Sequence, residues 1–191
     1  TIGGVGLIPD WSKMARAGFA AEGEAILLIG APPSWGTHLG QSIYLRDLHQ
    51  RRDGPPPPVD LAHERRVGDF VRGLIRSRAA TAVHDLSDGG LGVALAEMAM
   101  ASGIGATVSQ PTDADPIPVF FGEDQGRYLV TIAPGNLQAV QQEAATLAIP
   151  APVLGETGGS SLKLGDARPI PTAELKSAHE GWFPRYMAGE L

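Results

Sequence analysis

The stretch AVHDLSDGGLGVALAEMAMASGIGAT, residues 82–107, decides the fold that we predict. A short β-prone run and a polar turn come first, and Asp88-Gly89-Gly90 then opens a segment rich in apolar residues. Glu97 is the only charged residue of that segment, so a helix formed by it cannot lie on a surface without exposing large apolar side chains to water. We therefore predict a strand, a turn and a central, covered helix that starts at Gly89.

The start of this helix is a candidate binding feature. The first amide N–H groups of a helix lack internal partners and carry partial positive charge, so a buried start needs a capping side chain or a bound anion. The side chain of Ser87 or Asp88 can cap it, and the glycines Gly89 and Gly90 allow either close packing or close approach of a ligand. An ordinary N-cap and a phosphate site both stay open. In the phosphate site, Mg²⁺ bridges the carboxylates of Asp85 and Asp88, or those carboxylates face hydroxyls.

The composition narrows the class of protein. A length of 191 residues suits one domain, and the absence of cysteine excludes disulfides and thiolate chemistry and predicts a reducing, cytoplasmic setting. The net charge of -6 disfavours nucleic acid and anionic lipid as partners, and no apolar run approaches the roughly 20 residues of a membrane span. The chain starts at Thr1 with an apolar run, so we predict that residues 1–191 form one domain at the C-terminal end of a longer multidomain chain.

The order of predicted elements indicates an α+β domain, with a mixed β-sheet flanked by helices. The apolar run 23–30, bounded by glycines, predicts a central strand, and residues 61–78 show the spacing of a helix packed on a core, capped by Asp60. The arginines of that helix are interpreted as a solvated face rather than a phosphate patch, and prolines 55–58 as a rigid connector rather than a partner-binding segment. The remaining predictions are strands at 2–8, 106–109, 128–133, 153–157, 161–164 and 168–170, helices at 40–49, 136–148 and from a capping Thr172, and a loop at 110–118.

A second polar cluster, residues 122–127, lies just before the predicted strand 128–133. Glu123 and Asp124 can hold Mg²⁺ or ribose hydroxyls, and Gln125 can fix a substrate amide. Arg127 can pair with phosphate or with Glu123, and the alternative is an ordinary surface ion pair. Junctions between strands and helices can meet at one edge of a mixed sheet, so the two clusters are candidates for a single site.

Several enzyme classes are excluded by inspection. The chain has no Walker loop, no complete dinucleotide fingerprint, no zinc-protease helix and no nucleophile elbow. The histidines show no metal-ligand spacing and are interpreted as structural, and no catalytic residue is assigned. The last helix carries Trp182, Phe183 and Tyr186, which can be core residues or can dock on a neighbouring domain.

Six strings carry a family resemblance: VGLI (5–8), GEAILLIG (23–30), HLGQSIY (38–44), VHDLSDGGL (83–91), AEM (96–98) and FGEDQGR (121–127). In this order they resemble the phosphoribosylformylglycinamidine synthase family of purine biosynthesis, specifically the second C-terminal-type domain of the synthetase component, subunit II. The resemblance covers almost the entire chain. It implies the fold of the aminoimidazole ribonucleotide synthetase C-terminal domain.

The resemblance also implies an activity. It is that of an ATP-dependent carbon–nitrogen ligase, which uses ATP and Mg²⁺ to convert formylglycinamide ribonucleotide, with ammonia from glutamine, to the amidine. The implied partners are the upstream domains of the same chain, a glutaminase subunit and a small accessory subunit. Two alternatives remain: a non-catalytic, pseudosymmetric scaffold domain, and a domain of a relative such as thiamine-monophosphate kinase or selenophosphate synthetase. The candidate substrate or nucleotide-binding residues are Asp85, Ser87, Asp88, Gly89, Gly90, Glu123, Asp124, Gln125 and Arg127.

Overall fold

The computed structural model describes residues 3–30, 38–110 and 115–190. Seven strands form one sheet in this part of the chain. They are β1 (Ala25–Ile29), β2 (Ala80–Asp85), β3 (Ala106–Val108), β4 (Tyr128–Ile132), β5 (Val153–Thr157), β6 (Ser161–Leu164) and β7 (Ile170–Pro171). Their spatial order is β2-β4-β1-β5-β3-β6-β7, and β3 and β6 are the parallel pair among otherwise antiparallel neighbours. The predicted mixed sheet is therefore confirmed.

Helices cover both faces of the sheet. They are α1 (Leu61–Ser77), α2 (Gly90–Ser102), α3 (Pro116–Phe121), α4 (Pro134–Thr146) and α5 (Thr172–Ala188). Alternate residues of β1 point to opposite faces, so Ile26 and Leu28 join an apolar cluster with α2, while Leu27 and Ile29 join one with α1 and α4. The strand predicted from the apolar run 23–30 is thus central and covered on both faces, as expected. None of the described helices is long and apolar enough to cross a membrane.

Helix α2 has the predicted central position. Leu91, Leu95 and Met98 are fully buried, and Glu97 lies half-exposed at the helix surface. Helix α1 also matches its prediction, because the carboxylate of Asp60 accepts a hydrogen bond from the N–H of His63 and the arginines of this helix are exposed. The sequence pattern was sufficient for both helices, since one is apolar all round and the other has a clear apolar stripe.

The predicted N-terminal strand is wrong for the residues that the structure describes. Residues 3–8 have no regular structure, and the side chains of Val5 and Leu7 are fully exposed; Ile2 lies outside the described residues. A strand needs a neighbour for its backbone groups, and the described part of the chain offers none here. The sheet edge at β2 is instead met by Arg16, which forms a single parallel bridge with Ala82.

Three further predictions need correction. The segment 40–49 forms only a short π-helical turn at Tyr44–Leu48, with Leu48 exposed. The predicted loop 110–118 is wrong from residue 116, where α3 begins. Asp115 caps this helix, and Pro116 occupies the first helical position, where its missing N–H is harmless. Residues 111–114 lie outside the described residues. Thr172 is the first residue of α5 rather than its cap, and its hydroxyl contacts the carbonyl oxygen of Ser160 at 3.2 Å.

Candidate functional site

The two polar clusters meet at one edge of the sheet. Strands β2 and β4 are antiparallel neighbours, so the end of β2 lies beside the start of β4, with Asp85 opposite Tyr128. The N–H of Leu86 donates to the carbonyl oxygen of Arg127 at 2.9 Å, which joins the two turns directly. The expected convergence of residues 84–90 and 122–127 is therefore confirmed as geometry.

The start of α2 is closed by Glu123. Its Oε1 atom accepts hydrogen bonds from the N–H of Gly89, at 2.8 Å, and from the N–H of Ile43, at 2.9 Å. Gly89 is the N-cap residue and no side chain caps it locally, so the expectation that Ser87 or Asp88 caps this helix is wrong. The carboxylate of Glu123 thus binds the amide of the N-cap residue, at the helix start where an anion could otherwise bind.

The glycines at the start of α2 have conformations and contacts that a side chain would disturb. Gly90 has a φ of +66°, and a Cβ atom on it would lie 2.4 Å from the carbonyl oxygen of Gly122. Gly89 has a φ of +81°, a conformation that residues with a side chain rarely adopt. Since the group in close approach to Gly90 is backbone, Gly90 lets the two turns pack together, whereas a Cβ atom on Gly89 would meet the side chain of Val93 in the same helix.

Arg127 has a buried, structural position. Its side chain is fully buried, Nε donates to the carbonyl oxygen of Asp124 at 2.9 Å, and Nη2 donates to that of Gly122 at 2.7 Å. Burial lowers the pKa of Arg127 below its ordinary value, and the charge of Asp124, 3.8 Å away, opposes this shift. The expectation that Arg127 pairs with Glu123 or at the surface is therefore wrong, and its guanidinium holds the 122–127 turn in shape; pairing with phosphate stays a prediction, since its Nη1 atom is buried without a partner.

Asp124 links this turn to His38, one of the histidines that the sequence analysis interprets as structural. Its carboxylate is buried and lies against Nδ1 of His38, while the carbonyl oxygen of His38 accepts from the N–H of Glu123 at 3.1 Å. His38 therefore contacts both acidic residues of the turn. No local spacing pattern could have identified it, because the contact joins residues 86 positions apart.

A cleft of about 260 Å³ opens beside the two turns. Asp85, Ser87, Asp88 and Gln125 are exposed in its lining, and Glu64 from α1 contributes a further carboxylate. The full lining is Glu64, Asp85, Leu86, Ser87, Asp88, Glu123, Gln125, Gly126, Arg127 and Tyr128. Arg127, the one cationic residue of this lining, is buried, so the accessible wall is acidic. Its carboxylates can accept hydrogen bonds from hydroxyl or amine groups of a ligand, and they would repel a bare phosphate.

Glu64 is a charged lining residue outside the candidate set predicted from the sequence. Its Oε1 atom is buried without a hydrogen-bond partner, and a Cβ atom on Gly126 would lie 2.9 Å from its Cγ. A glycine at 126, between the polar cluster and the next strand, is the only sequence signal of this close approach.

The described residues form no magnesium site from protein side chains alone, whereas Mg²⁺ often takes only one or two carboxylates together with phosphate oxygens. In residues 3–30, 38–110 and 115–190, no three or more acidic or histidine side chains lie close enough together to hold a metal. Glu123 Oε1 accepts from two amides, Asp124 Oδ1 lies against His38, and Asp124 Oδ2 lies 3.8 Å from Arg127 Nη2 without a hydrogen bond. The predicted Mg²⁺ ligation by Glu123 and Asp124 has no support in this arrangement.

The fold and the glycine-opened central helix define a domain class, a mixed sheet with helices on both faces and a polar cleft at one sheet edge. The family model of the AIR synthase related protein, C-terminal domain, matches residues 21–165, and the chain belongs to this family. The fold class expected from the sequence is thereby confirmed.

Similar proteins bear out the resemblance found in the sequence. The chain is 64% identical over 191 residues to phosphoribosylformylglycinamidine synthase subunit PurL of Rhizobium meliloti, covering 100% of this chain and 26% of that protein. It is 66% identical over 191 residues to the subunit PurL of Mesorhizobium japonicum, covering 98% of this chain and 26% of the relative. The chain therefore spans about a quarter of the length of these relatives.

Solved structures share the fold at low identity. Thermotoga maritima PurL complexed with FGAR matches with a TM-score of 0.71 and 18% identity, over 87% of this chain and 30% of that one. A thiamine-monophosphate kinase from Stenotrophomonas maltophilia matches with a TM-score of 0.51 and 20% identity, over 78% of this chain and 52% of that one. The fold is thus common to proteins of different names.

Proposed function

We propose that this chain is the C-terminal-type domain of a phosphoribosylformylglycinamidine synthase, an ATP-dependent carbon–nitrogen ligase of purine biosynthesis. The observation that carries the proposal is the 64% identity, over all 191 residues, to a subunit PurL. That the chain spans about a quarter of that relative supports the proposal that residues 1–191 are one domain at the C-terminal end of a longer polypeptide. Turnover belongs to the complete polypeptide, and the chain alone is inactive.

The proposed reaction converts formylglycinamide ribonucleotide to formylglycinamidine ribonucleotide. ATP phosphorylates the amide oxygen, ammonia derived from glutamine attacks the activated carbon, and inorganic phosphate leaves. Such a reaction needs positioned charges more than a protein nucleophile. ATP and Mg²⁺ are the proposed cofactors, and the described residues assign no ligand to the metal.

In this proposal the chain contributes an acidic subsite. Asp85, Ser87, Asp88 and Gln125 are exposed in the cleft and accept or donate hydrogen bonds to ribose hydroxyls or a substrate amide. The other candidate residues form the frame of the subsite. They are the buried Gly89, Gly90, Asp124 and Arg127 and the partly buried Glu123. Their hydrogen bonds are with the chain itself, so they set the shape of the subsite, and Nη1 of Arg127 stays buried without a partner.

The proposed partners are the upstream domains of the same polypeptide, a glutaminase subunit and a small accessory subunit. A structure named as PurLQS from Thermotoga maritima shares this fold with a TM-score of 0.66 at 16% identity, which supports a multisubunit assembly. The absence of cysteine from the chain fits a reducing compartment, and we assign the enzyme to the cytoplasm.

The test uses the full-length polypeptide that contains this chain. It is supplied with formylglycinamide ribonucleotide, ATP, Mg²⁺ and ammonium ions in place of the glutaminase. We expect formylglycinamidine ribonucleotide and one equivalent of ADP, identified by mass spectrometry, and neither product from the 191-residue chain alone. Phosphorylation of thiamine monophosphate or of selenide by the same preparation, with no amidine formed, would overturn the assignment.

A second candidate function is a non-catalytic scaffold domain. One observation favours it. The charged side chains of Glu123 and Arg127 form hydrogen bonds with backbone groups of their own chain. In that case the cleft has kept its geometry without a ligand. Removal of the exposed carboxylates in the full-length enzyme separates the two candidates.

A further inference from the structure

Helix α5 begins packed on the domain and ends exposed. Thr172 is buried, and Leu175 packs against the apolar cluster that contains α2. Beyond Leu175 the helix carries four large apolar side chains with more than half of their surface exposed: Trp182, Phe183, Tyr186 and Met187. We name these four residues the aromatic end of α5. The rings of Trp182 and Tyr186 stack at a centroid distance of 5.1 Å.

The aromatic end continues the packed face of the helix. Thr172, Leu175, His179, Trp182 and Tyr186 follow one another at intervals of three, four, three and four residues, which places them on one side of an α-helix. The first two of them contact the domain, whereas the last two project beyond it. This side of the helix is covered only in its first turn; beyond it lie the exposed His179 and then Trp182 and Tyr186, which flank Pro184, a proline inside the helix.

We infer that the aromatic end of α5 docks against another part of the same full-length polypeptide. The inference rests on the part of the proposed function that makes this chain one domain of a longer protein. Relatives at 64% and 66% identity are about four times as long as this chain, so a large surface of the same polypeptide is present to cover it. Large exposed apolar patches on soluble domains mark such contacts.

The size of the patch favours a contact within one polypeptide over a second copy of the chain. A stable interface between separate molecules involves about 20–30 residues on each side and about 800 Å² per partner. The aromatic end supplies four side chains at the end of one helix, which is far less. A domain linked through the same backbone does not lose the translational freedom that two separate molecules lose, so a small patch is sufficient.

Hydrogen exchange of the purified full-length polypeptide, without partner subunits, tests the inference. We expect the amides of residues 180–188 to exchange at least tenfold more slowly than unstructured amides, at a rate that does not depend on protein concentration. The double variant Trp182→Ala, Tyr186→Ala should lose at least tenfold of this protection. Ser177→Ala is the matched control, because Ser177 is exposed and lies five residues before Trp182 and nine before Tyr186, which places it on the opposite side of the helix, so its loss should leave the protection unchanged.

Three outcomes would overturn the inference. Protection that rises with protein concentration would assign the patch to a second copy, and protection that appears only after a partner subunit is added would assign it to that subunit. Exchange at the unstructured rate in every preparation would show that the aromatic end stays uncovered. Because exchange is measured without substrate, these outcomes are independent of whether the amidine-forming activity is found.

Discussion

The carboxylate of Glu123 accepts a hydrogen bond from the backbone N–H of Gly89 at 2.8 Å, across 34 residues of chain. The same oxygen accepts from the N–H of Ile43. One side chain therefore joins the start of the central helix to the turn before β4 and to the segment that follows residue 38. The contact satisfies two backbone donors that would otherwise need water or a ligand.

Replacement of Glu123 by alanine should destabilise the domain. Two partly buried N–H groups lose their acceptor, and each unsatisfied group costs about 1–3 kcal/mol, so we expect a loss of about 2–4 kcal/mol in the free energy of unfolding. Urea denaturation followed by circular dichroism measures it. The matched variant Glu123→Gln keeps an acceptor oxygen and should lose about 1 kcal/mol. Equal losses for the two variants would contradict the assigned contacts.

Replacement of Gly90 by alanine should be more damaging than its size suggests. The new Cβ would lie 2.4 Å from a backbone oxygen, and the φ of +66° is unfavourable for any residue with a side chain, so a loss of at least about 2 kcal/mol is expected in thermal unfolding. Gly103→Ala has a similar φ in open space and should show the conformational cost alone, about 1 kcal/mol.

The opposite sign is expected for Gly73→Ala. Gly73 lies inside α1, exposed, with nothing within 4 Å of an added Cβ atom and no positive φ. Alanine is favoured over glycine in a helix interior by up to about 1 kcal/mol, so this variant should unfold at a higher temperature than the parent. A lower melting temperature would show that the local backbone differs from the helix described above.

The exposed carboxylates of the cleft provide the test of a site against a scaffold. In the full-length enzyme, Asp85→Asn and Asp88→Asn should each lower the rate of amidine formation at least tenfold while the melting temperature changes little, because both side chains are exposed. Asp166→Asn removes an exposed carboxylate outside the cleft and should leave the rate unchanged. Full activity in the Asp85 and Asp88 variants would favour the scaffold role.

The stability of α1 should depend on pH through Asp60. A hydrogen bond from the N–H of His63 lowers the pKa of Asp60 below its ordinary value. The folded state therefore favours the ionised carboxylate. The stabilisation is fully present above the ordinary aspartate pKa, about 4, and is lost as the pH falls through the lower, folded value.

The variant Asp60→Asn keeps a capping side chain without a titrating group. Its melting temperature should show a shallower decline than that of the parent between about pH 4 and pH 2, measured by circular dichroism in matched salt. Identical declines would exclude Asp60 as a source of acid sensitivity.

The sequence predicted those elements whose signal is local. The apolar run of β1, the stripe of α1 and the all-apolar composition of α2 each specify burial without reference to the rest of the chain. Two failures also have local causes: residues 3–8 have the composition of a strand, and the prolines near residue 116 suggest a loop until Asp115 is seen to cap a helix.

The sequence predicts that the two polar clusters lie together, but it predicts only in part what their side chains contact. Residues 84–90 and 122–127 do lie together, because the ends of antiparallel strands are adjacent. The roles of Glu123 and Arg127 depend on contacts with Gly89, Ile43 and the carbonyl oxygen of Gly122, and no periodicity encodes such partners. Glu64 lies three residues before Val67 on the packed face of α1, and no pattern in the sequence shows that this face reaches the cleft.

The strand order has a consequence for synthesis of the protein on the ribosome. Among the described strands, β1, β2 and β3 form no pairs with one another, and each pairs only with strands that follow β3 in the sequence. At about 5–20 residues per second, the fully apolar β1 remains without a partner strand for several seconds, until β4 emerges. Among the strands of this sheet the fully apolar β1 is thus the first to be made, and a nascent chain that stalls before residue 128 should depend on chaperones.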